Sequence, residues 1–201
     1  MVFQRLFFYG HDRIQPLEDK TMYAIDLMMN EHIQIRDMLE VMRAMAKQLK
    51  EGKDVPIEDF EITVDFARNY GDKHHHMKEE DILFPELMDQ VWMTMDIIQG
   101  VMLPEHQEGR DHISRLADAL EQCKEQVSEE AVSQAIFEID AYTMLLKEHT
   151  EKEDQVLYQI ALMHLPKESK EKVDHLCKVK EEKEPVDNYL QMLESLKAKY
   201  L

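Results

Sequence analysis

Apolar residues recur along this chain at spacings of three and four, the period of helices that bury one face. Ile25, Met28, His32, Ile35, Leu39 and Ala46 fall on one stripe, and Ile57, Phe60, Val64, His75, Glu79 and Ile82 on a second. A third holds Met102, His106, Ile113, Ala117 and Leu120; a fourth holds Ile139, Tyr142, Leu146, His149, Glu153, Val156 and Ile160. The pattern predicts four long helices: about Lys20 to Leu49, Pro56 to Met88, Met95 to Gln122, and Ser128 to just before Pro166. Gly52 and Pro56 punctuate the first turn, with Asp54 as a cap for the second helix. Gly100 and Pro104 mark a kink or start in the third, and Ser128 caps the fourth. Short turns between long helices favour an all-α, antiparallel up-down four-helix bundle.

Two segments flank this bundle of residues 20–165. Residues 1–19 are apolar and aromatic at their start but carry no small-residue cleavage site, so they read as an arm packed on the body rather than a signal peptide. Residues 166–201 are highly charged, with a helical stretch after Pro185 whose stripe is Tyr189, Leu190, Leu193 and Leu196. This C-terminal extension is expected to pack against the bundle, a second copy or a protein partner.

Six polar residues lie on the core stripes, and they are arranged twice over. His75-x-x-Lys78-Glu79-Glu80-x-Ile82-Leu83-Phe84 reappears as His149-x-x-Lys152-Glu153-Asp154-x-Val156-Leu157-Tyr158. Glu31-His32-x-x-x-Arg36-Asp37 recurs as Glu105-His106-x-x-x-Arg110-Asp111. His32 precedes His75 by 43 residues, and His106 precedes His149 by the same 43. A glutamate on a core face is costly unless it is paired or coordinated. Two of them, each one turn after a histidine, call for one explanation: a two-metal site assembled from two similar halves. In the bundle His32 would face the His75/Glu79 turn, and His106 the His149/Glu153 turn.

Composition agrees and narrows the partners. Only 5 glycines and 6 prolines occur in 201 residues, 44% of which are apolar, as suits a helical protein with one core. A net charge of −18 repels phosphate backbones and anionic lipid, which argues against nucleic-acid or membrane-surface binding. No apolar run approaches the ~20 residues of a membrane span. Cys123 and Cys177 make neither a CxxC pair nor a disulfide framework, so a reducing, cytoplasmic setting is expected.

Imidazole and carboxylate ligands suit iron, manganese or zinc. Each metal could take two histidines while the two glutamates bridge both, leaving charge for an oxide or hydroxide bridge. The spacing is not the Glu-x-x-His of ferritin-like bundles. It resembles the hemerythrin-like HHE cation-binding family, on His32, His75-His76-x-x-Glu79-Glu80 with Leu83-Phe84-Pro85, Glu105-His106-x-x-x-Arg110, and His149-x-x-x-Glu153. The resemblance covers about residues 20–165 and implies a non-haem di-iron centre inside the bundle. It implies His32, His75, His106 and His149 as terminal ligands and Glu79 and Glu153 as bridges. It also implies a protein that binds or reacts with dioxygen, peroxide or nitric oxide. An oxidoreductase, an iron- or oxygen-sensing module and a storage protein without turnover all stay open. The family's oxygen carriers have a fifth histidine one turn after the third-helix ligand; here that residue is Arg110, which points toward the broader redox and sensing branch.

Several neighbours compete with these six. The repeat and the helical phase favour His75 over His74 and His76, neither of which is in core phase. They favour Glu153 over Asp154, although Asp154 holds the position of the carriers' aspartate bridge. Glu80 is the matching alternative to Glu79. Arg36 and Arg110 read either as partners of a bridging carboxylate or bound anion, or as surface salt-bridge residues. Tyr70 and Tyr142 could donate to a bound oxygen species, or be core tyrosines with ordinary partners. Met28, Met38, Met42, Met45 and Met102, among 15 methionines, read as core filler. His11, His112, His164 and His175 fit no repeat and read as structural or exposed.

Overall fold

The structure is a computed structural model that describes residues 21–201; the arm expected over residues 1–19 lies outside the described residues. Six helices make up the described chain, which contains no strand. The first, α1, is Tyr23–Lys50; α2 runs over 57–90, α3 over 95–125 and α4 over 129–164. Two further helices, α5 (Lys167–Lys183) and α6 (Asp187–Tyr200), form the C-terminal extension. The first four are the helices that the apolar periodicity predicts, to within a few residues at each end.

Local chemistry sets the ends. Lys47 and Lys50 sit in the last turn of α1, where they complement the negative end of the helix dipole. Gly52 (φ 74°) then takes the left-handed conformation that reverses the chain. Pro56 precedes the first turn of α2, where Glu58 and Asp59 face the positive end of the dipole; Asp54 does not serve as the expected cap. Ser128 does cap α4, its Oγ accepting the Ala131 N–H at 3.1 Å. Pro104 lies inside a continuous helix rather than at its start, just after a π-helical turn over Ile98–Met102.

The buried faces form two apolar clusters. One contains Ile25, Met28, Leu83, Phe84, Met102, Leu157 and Tyr158; the other contains Ile35, Met42, Phe60, Ile113, Leu116, Ile139 and Leu146. Along every helix of the bundle the polar residues His32, His75/Glu79, His106 and His149/Glu153 fall between the two. The core is thus two apolar layers with one polar layer sandwiched between them. The five methionines named above are buried in these layers.

The C-terminal extension seals both layers. Val173 and Cys177 of α5 join the first cluster, and Leu193 and Leu196 of α6 join the second. Asp174 of α5 also accepts the Tyr23 and Ala24 N–H groups at 3.2 and 2.9 Å, capping α1 from outside its own sequence. Lys197 pairs with Asp37 at 2.7 Å, and Tyr200 and Lys199 with Asp59. No helix of the described residues is long and apolar enough to cross a membrane.

One expectation about phase fails in both halves. Ile82 is only half-buried and Val156 is exposed, whereas Leu83 and Leu157 are fully buried. The reason is the same each time: Glu79–Leu83 and Glu153–Leu157 are π-helical. A turn closed by i→i+5 bonds rotates less per residue than an α-turn, so the next position comes round to the core.

Candidate metal centre

Six side chains from four helices meet in the polar layer. His32 comes from α1, His75 and Glu79 from α2, His106 from α3, and His149 and Glu153 from α4; all are at most 1% exposed. The Nε2 atoms of His32 and His75 lie 2.9 Å apart, and those of His106 and His149 also 2.9 Å. Behind each ring the Nδ1 meets a carboxylate: Asp154 for His32 (2.7 Å), Glu31 for His75 (2.8 Å), Glu80 for His106 (2.7 Å) and Glu105 for His149 (2.8 Å). A ring that donates Nδ1–H to a carboxylate turns its Nε2 lone pair the other way. Two lone pairs at hydrogen-bond distance repel unless a proton or a metal ion stands between them.

The glutamates complete the arrangement. Glu79 Oε2 is 3.7 Å from His75 Nε2 and 3.4 Å from His106 Nε2, so it faces both halves. Glu153 Oε2 is 3.3 Å from His32 Nε2 and 3.2 Å from His149 Nε2, and so does the same. Glu79 Oε2 and both Glu153 oxygens have no hydrogen-bond partner among the described residues. Orphaned carboxylate oxygens in a dry core are expensive. These three point at one another's histidines across a gap that cations would fill, and the donor set fits a bound metal. The ligand atoms group into two quartets, His32, His75, Glu79 and Glu153 in one and His76, Glu79, His106 and His149 in the other, each within 4.8 Å.

A second layer repeats with the first. Lys78 contacts Glu31, and Lys152 contacts Glu105. Arg36 pairs with Asp154 at 2.8 Å, and Arg110 with Glu80 at 2.6 Å. All four contacts join different helices, and the two arginine pairs, α1 to α4 and α3 to α2, tie the halves together. Each carboxylate both orients an imidazole and is neutralised by a base behind it.

The family profile of the Hemerythrin HHE cation binding domain matches residues 23–161. The chain belongs to that family. Among curated proteins and among solved structures nothing matches. The chain is therefore a metal-binding, hemerythrin-like protein, and the all-α bundle is the hemerythrin-like fold.

Electrostatics describe this hemerythrin-like site with no metal in it. Burial opposes charge on His32, but its bond to Asp154 and the nearby Glu153 carboxylate outweigh that and raise it to about 9. Burial likewise opposes charge on His106, yet Glu153, Glu79 and Glu80 raise it to about 11. His149 is raised as well, against burial, by Glu153 and Glu105. Glu153 is driven well below the usual carboxylate range, against its own burial, by His149, His106 and His32. Protons on the histidines thus balance the glutamates, and a metal would replace those protons.

Two expectations about neighbours need correction. His74 and His76 are not on the helix surface; both are buried with His75. The cause is a π-helical stretch over Ala67–His76, which spreads three consecutive histidines across the inward face. His74 turns to Glu31 (3.0 Å) and Glu181 (3.1 Å), away from the glutamate pair. His76 turns toward it. Asp154 and Glu80 sit behind imidazoles, and their second-layer contacts are to Arg36 and Arg110. Tyr142 packs in the second apolar cluster, and Tyr70 stacks on Phe66 at 4.7 Å. The tyrosine that reaches the site is Tyr158, whose hydroxyl donates to Glu79 Oε1 at 2.6 Å. Its repeat partner is Phe84, so the doubled motif differs at the position where a donor is present in one half only.

Proposed function

We propose that the centre holds two iron ions and that the protein binds or reacts with a small oxidant: dioxygen, peroxide or nitric oxide. His32 and His75 would hold one ion, His106 and His149 the other, and Glu79 and Glu153 would bridge them. The observation that carries this reading is the set of three partnerless carboxylate oxygens facing four convergent Nε2 atoms. Iron held there would supply Lewis acidity and one-electron steps. Manganese and zinc also suit these ligands. The protein's own contribution is positional. Four carboxylates fix the rings and raise their basicity, Tyr158 holds Glu79, and two apolar layers keep bulk water from the ligand atoms. A cytoplasmic location fits two cysteines that are both free and buried.

Anaerobic purification, metal analysis and optical spectra on adding dioxygen, peroxide and nitric oxide test this directly. About two iron ions per chain and a spectral change with at least one ligand are expected. Fewer than two metals after reconstitution, or no change with any of the three, would sink the reading.

A second reading, a metal sensor that signals through residues 166–201, is favoured by one chain of contacts. His75 Nδ1 bonds Glu31, Glu31 contacts Lys78, and Lys78 reaches Glu181 of α5 at 2.5 Å. Metal loading is then expected to raise the amide-exchange protection of α5. Identical protection of 167–183 with and without metal rules this reading out.

A further inference from the structure

A cavity of about 290 Å³ opens between α2 and α3, and nothing in the scheme above uses it. Arg68 and Ser114 stand exposed at its mouth, while His76, Ile113 and, from α4, Tyr142 are buried parts of its lining. One wall is a single imidazole thick. The His76 ring lines the cavity and lies flat against His106, with centroids 3.8 Å apart and planes 10° from parallel. The cavity therefore adjoins the centre without being part of it.

Three polar groups of this lining lack partners. His76 is 5% exposed, and neither ring nitrogen has a hydrogen-bond partner among the described residues. Tyr142 is 6% exposed, and its hydroxyl makes no hydrogen bond among them either. A buried tyrosine hydroxyl ordinarily finds a partner. Arg68 is the third. Of the five arginines among the described residues, Arg36, Arg43, Arg110 and Arg115 each pair with a carboxylate, and Arg68 pairs with none. In a chain of net charge −18 this is not for want of acids. The acids that line this cavity and the adjoining cleft are engaged elsewhere: Asp72 with Arg110 at 2.8 Å, Asp65 with Asn69 at 2.7 Å, and Glu61 and Glu121 with Lys124. Arg68 is thus an uncompensated positive charge at the mouth, with apolar walls and two unpaired hydrogen-bonding groups deeper in.

We propose that this cavity is a binding site for a small organic carboxylate. Arg68 takes the carboxylate, Ile113 and the Tyr142 ring take an apolar body, and the Tyr142 hydroxyl and His76 take a hydrogen-bonding group at its opposite end. At roughly 30 Å³ for each water-sized group, the volume holds about ten non-hydrogen atoms. An inorganic anion on Arg68 would leave the inner groups unpaired, and a neutral molecule would leave the arginine so. The site goes beyond the two-iron reading and does not depend on it.

4-Hydroxybenzoate has the right size and carries all three features; 4-hydroxybenzamide lacks the charge, and benzoate lacks the hydroxyl. Titration calorimetry of the full chain, iron-loaded and after chelation, is expected to show 4-hydroxybenzoate binding at least ~3-fold tighter than either, with or without metal. That is the scale of one exposed ion pair or one hydrogen bond. Arg68→Gln should cancel the preference over the amide, and Tyr142→Phe the preference over benzoate. Neither side chain has a polar partner to lose, so both variants should fold. Ser114→Phe, at the mouth, should weaken all three probes. No binding of 4-hydroxybenzoate at millimolar concentration overturns the proposal, and so does equal affinity for acid and amide. Binding that needs iron and ignores Arg68→Gln also overturns it, because the carboxylate would then be a ligand of the metals. Binding that survives chelation, in a chain that never holds two metals, would sink the two-iron reading and leave this site standing.

Discussion

Stripping the metals from the centre is expected to lower the thermal unfolding midpoint by about 15–30 °C at neutral pH. A ligand that binds only the folded state stabilises it by about 4 kcal/mol when present at ~1,000 times its dissociation constant. Two sites give about 8 kcal/mol, and about 2–4 °C per kcal/mol applies to a chain of this size. The physical source is the polar layer. Glu79 and Glu153 are buried between two apolar clusters, and without metal their charge is balanced by protons on the histidines, with the Tyr158 hydroxyl also bonding Glu79. His32 is raised above its ordinary value, so its contribution to stability is complete below about 6.5 and is lost as pH rises through about 9. His106 extends that loss toward about 11. Glu31, Glu80, Glu153 and Asp154 are depressed, so their contribution is present at neutral pH and is lost on acidification below the ordinary carboxylate range. The metal-free chain should therefore be most stable between these limits. The metal-loaded chain, whose imidazoles need no proton, should hold its midpoint on the alkaline side. Circular-dichroism melts of chelated and reconstituted protein from pH 6 to pH 10 check both points. A shift of only a few degrees, constant with pH, would show that the polar layer is compensated in some other way.

What the sequence made legible follows from what stays regular along the chain. α1 and most of α3 and α4 are α-helical, so a constant rotation per residue assigns their buried faces correctly, His32 and His106 included. Repetition then identifies His75, His149, Glu79 and Glu153 without knowledge of how the helices pack. The method fails wherever the backbone widens into π-turns, and those turns cluster where the six side chains meet. There Leu83 and Leu157 replace Ile82 and Val156 in the core, and His76 swings inward. Nothing in composition announces a π-turn. The outer carboxylates were within reach of the sequence. Glu31, Glu80, Glu105 and Asp154 all belong to the doubled motifs, and a buried histidine ligand needs a partner for its second nitrogen. Tyr158 against Phe84 was visible in the alignment of the two halves, but its hydroxyl acquires meaning only once Glu79 is placed beside it. Packing of the extension against the bundle was among the expectations, but which α5 residues would enter it was not legible in so highly charged a helix. Its Glu181 is drawn in by a buried lysine, and its Asp174 by the uncapped N–H groups of α1.

That buried lysine gives the second large effect. Lys78 and Lys152 occupy equivalent places in the two motifs, each against the carboxylate behind a histidine. Their surroundings differ. Lys78 is 0% exposed and is enclosed by Glu31, by Glu181 at 2.5 Å and by His74 at 2.8 Å, because α5 covers it. The Lys152 side chain is 38% exposed and, among the described residues, is paired with Glu105. Removing one partner of a buried ion pair leaves the other charge uncompensated, at a cost of about 3–5 kcal/mol, whereas an exposed pair is worth about 0–1 kcal/mol. Lys78→Met, which keeps most of the volume, is expected to lower the unfolding midpoint by about 6–20 °C and to loosen α5. Lys152→Met should cost no more than about 1 kcal/mol. The comparison carries its own control, since both changes delete the same group from the same motif. Equal, small losses would mean that Glu31 and Glu181 find other compensation. Equal, large losses would mean that the cost lies in orienting His75 and His149, through Glu31 and Glu105, and not in the burial that α5 imposes on one half only.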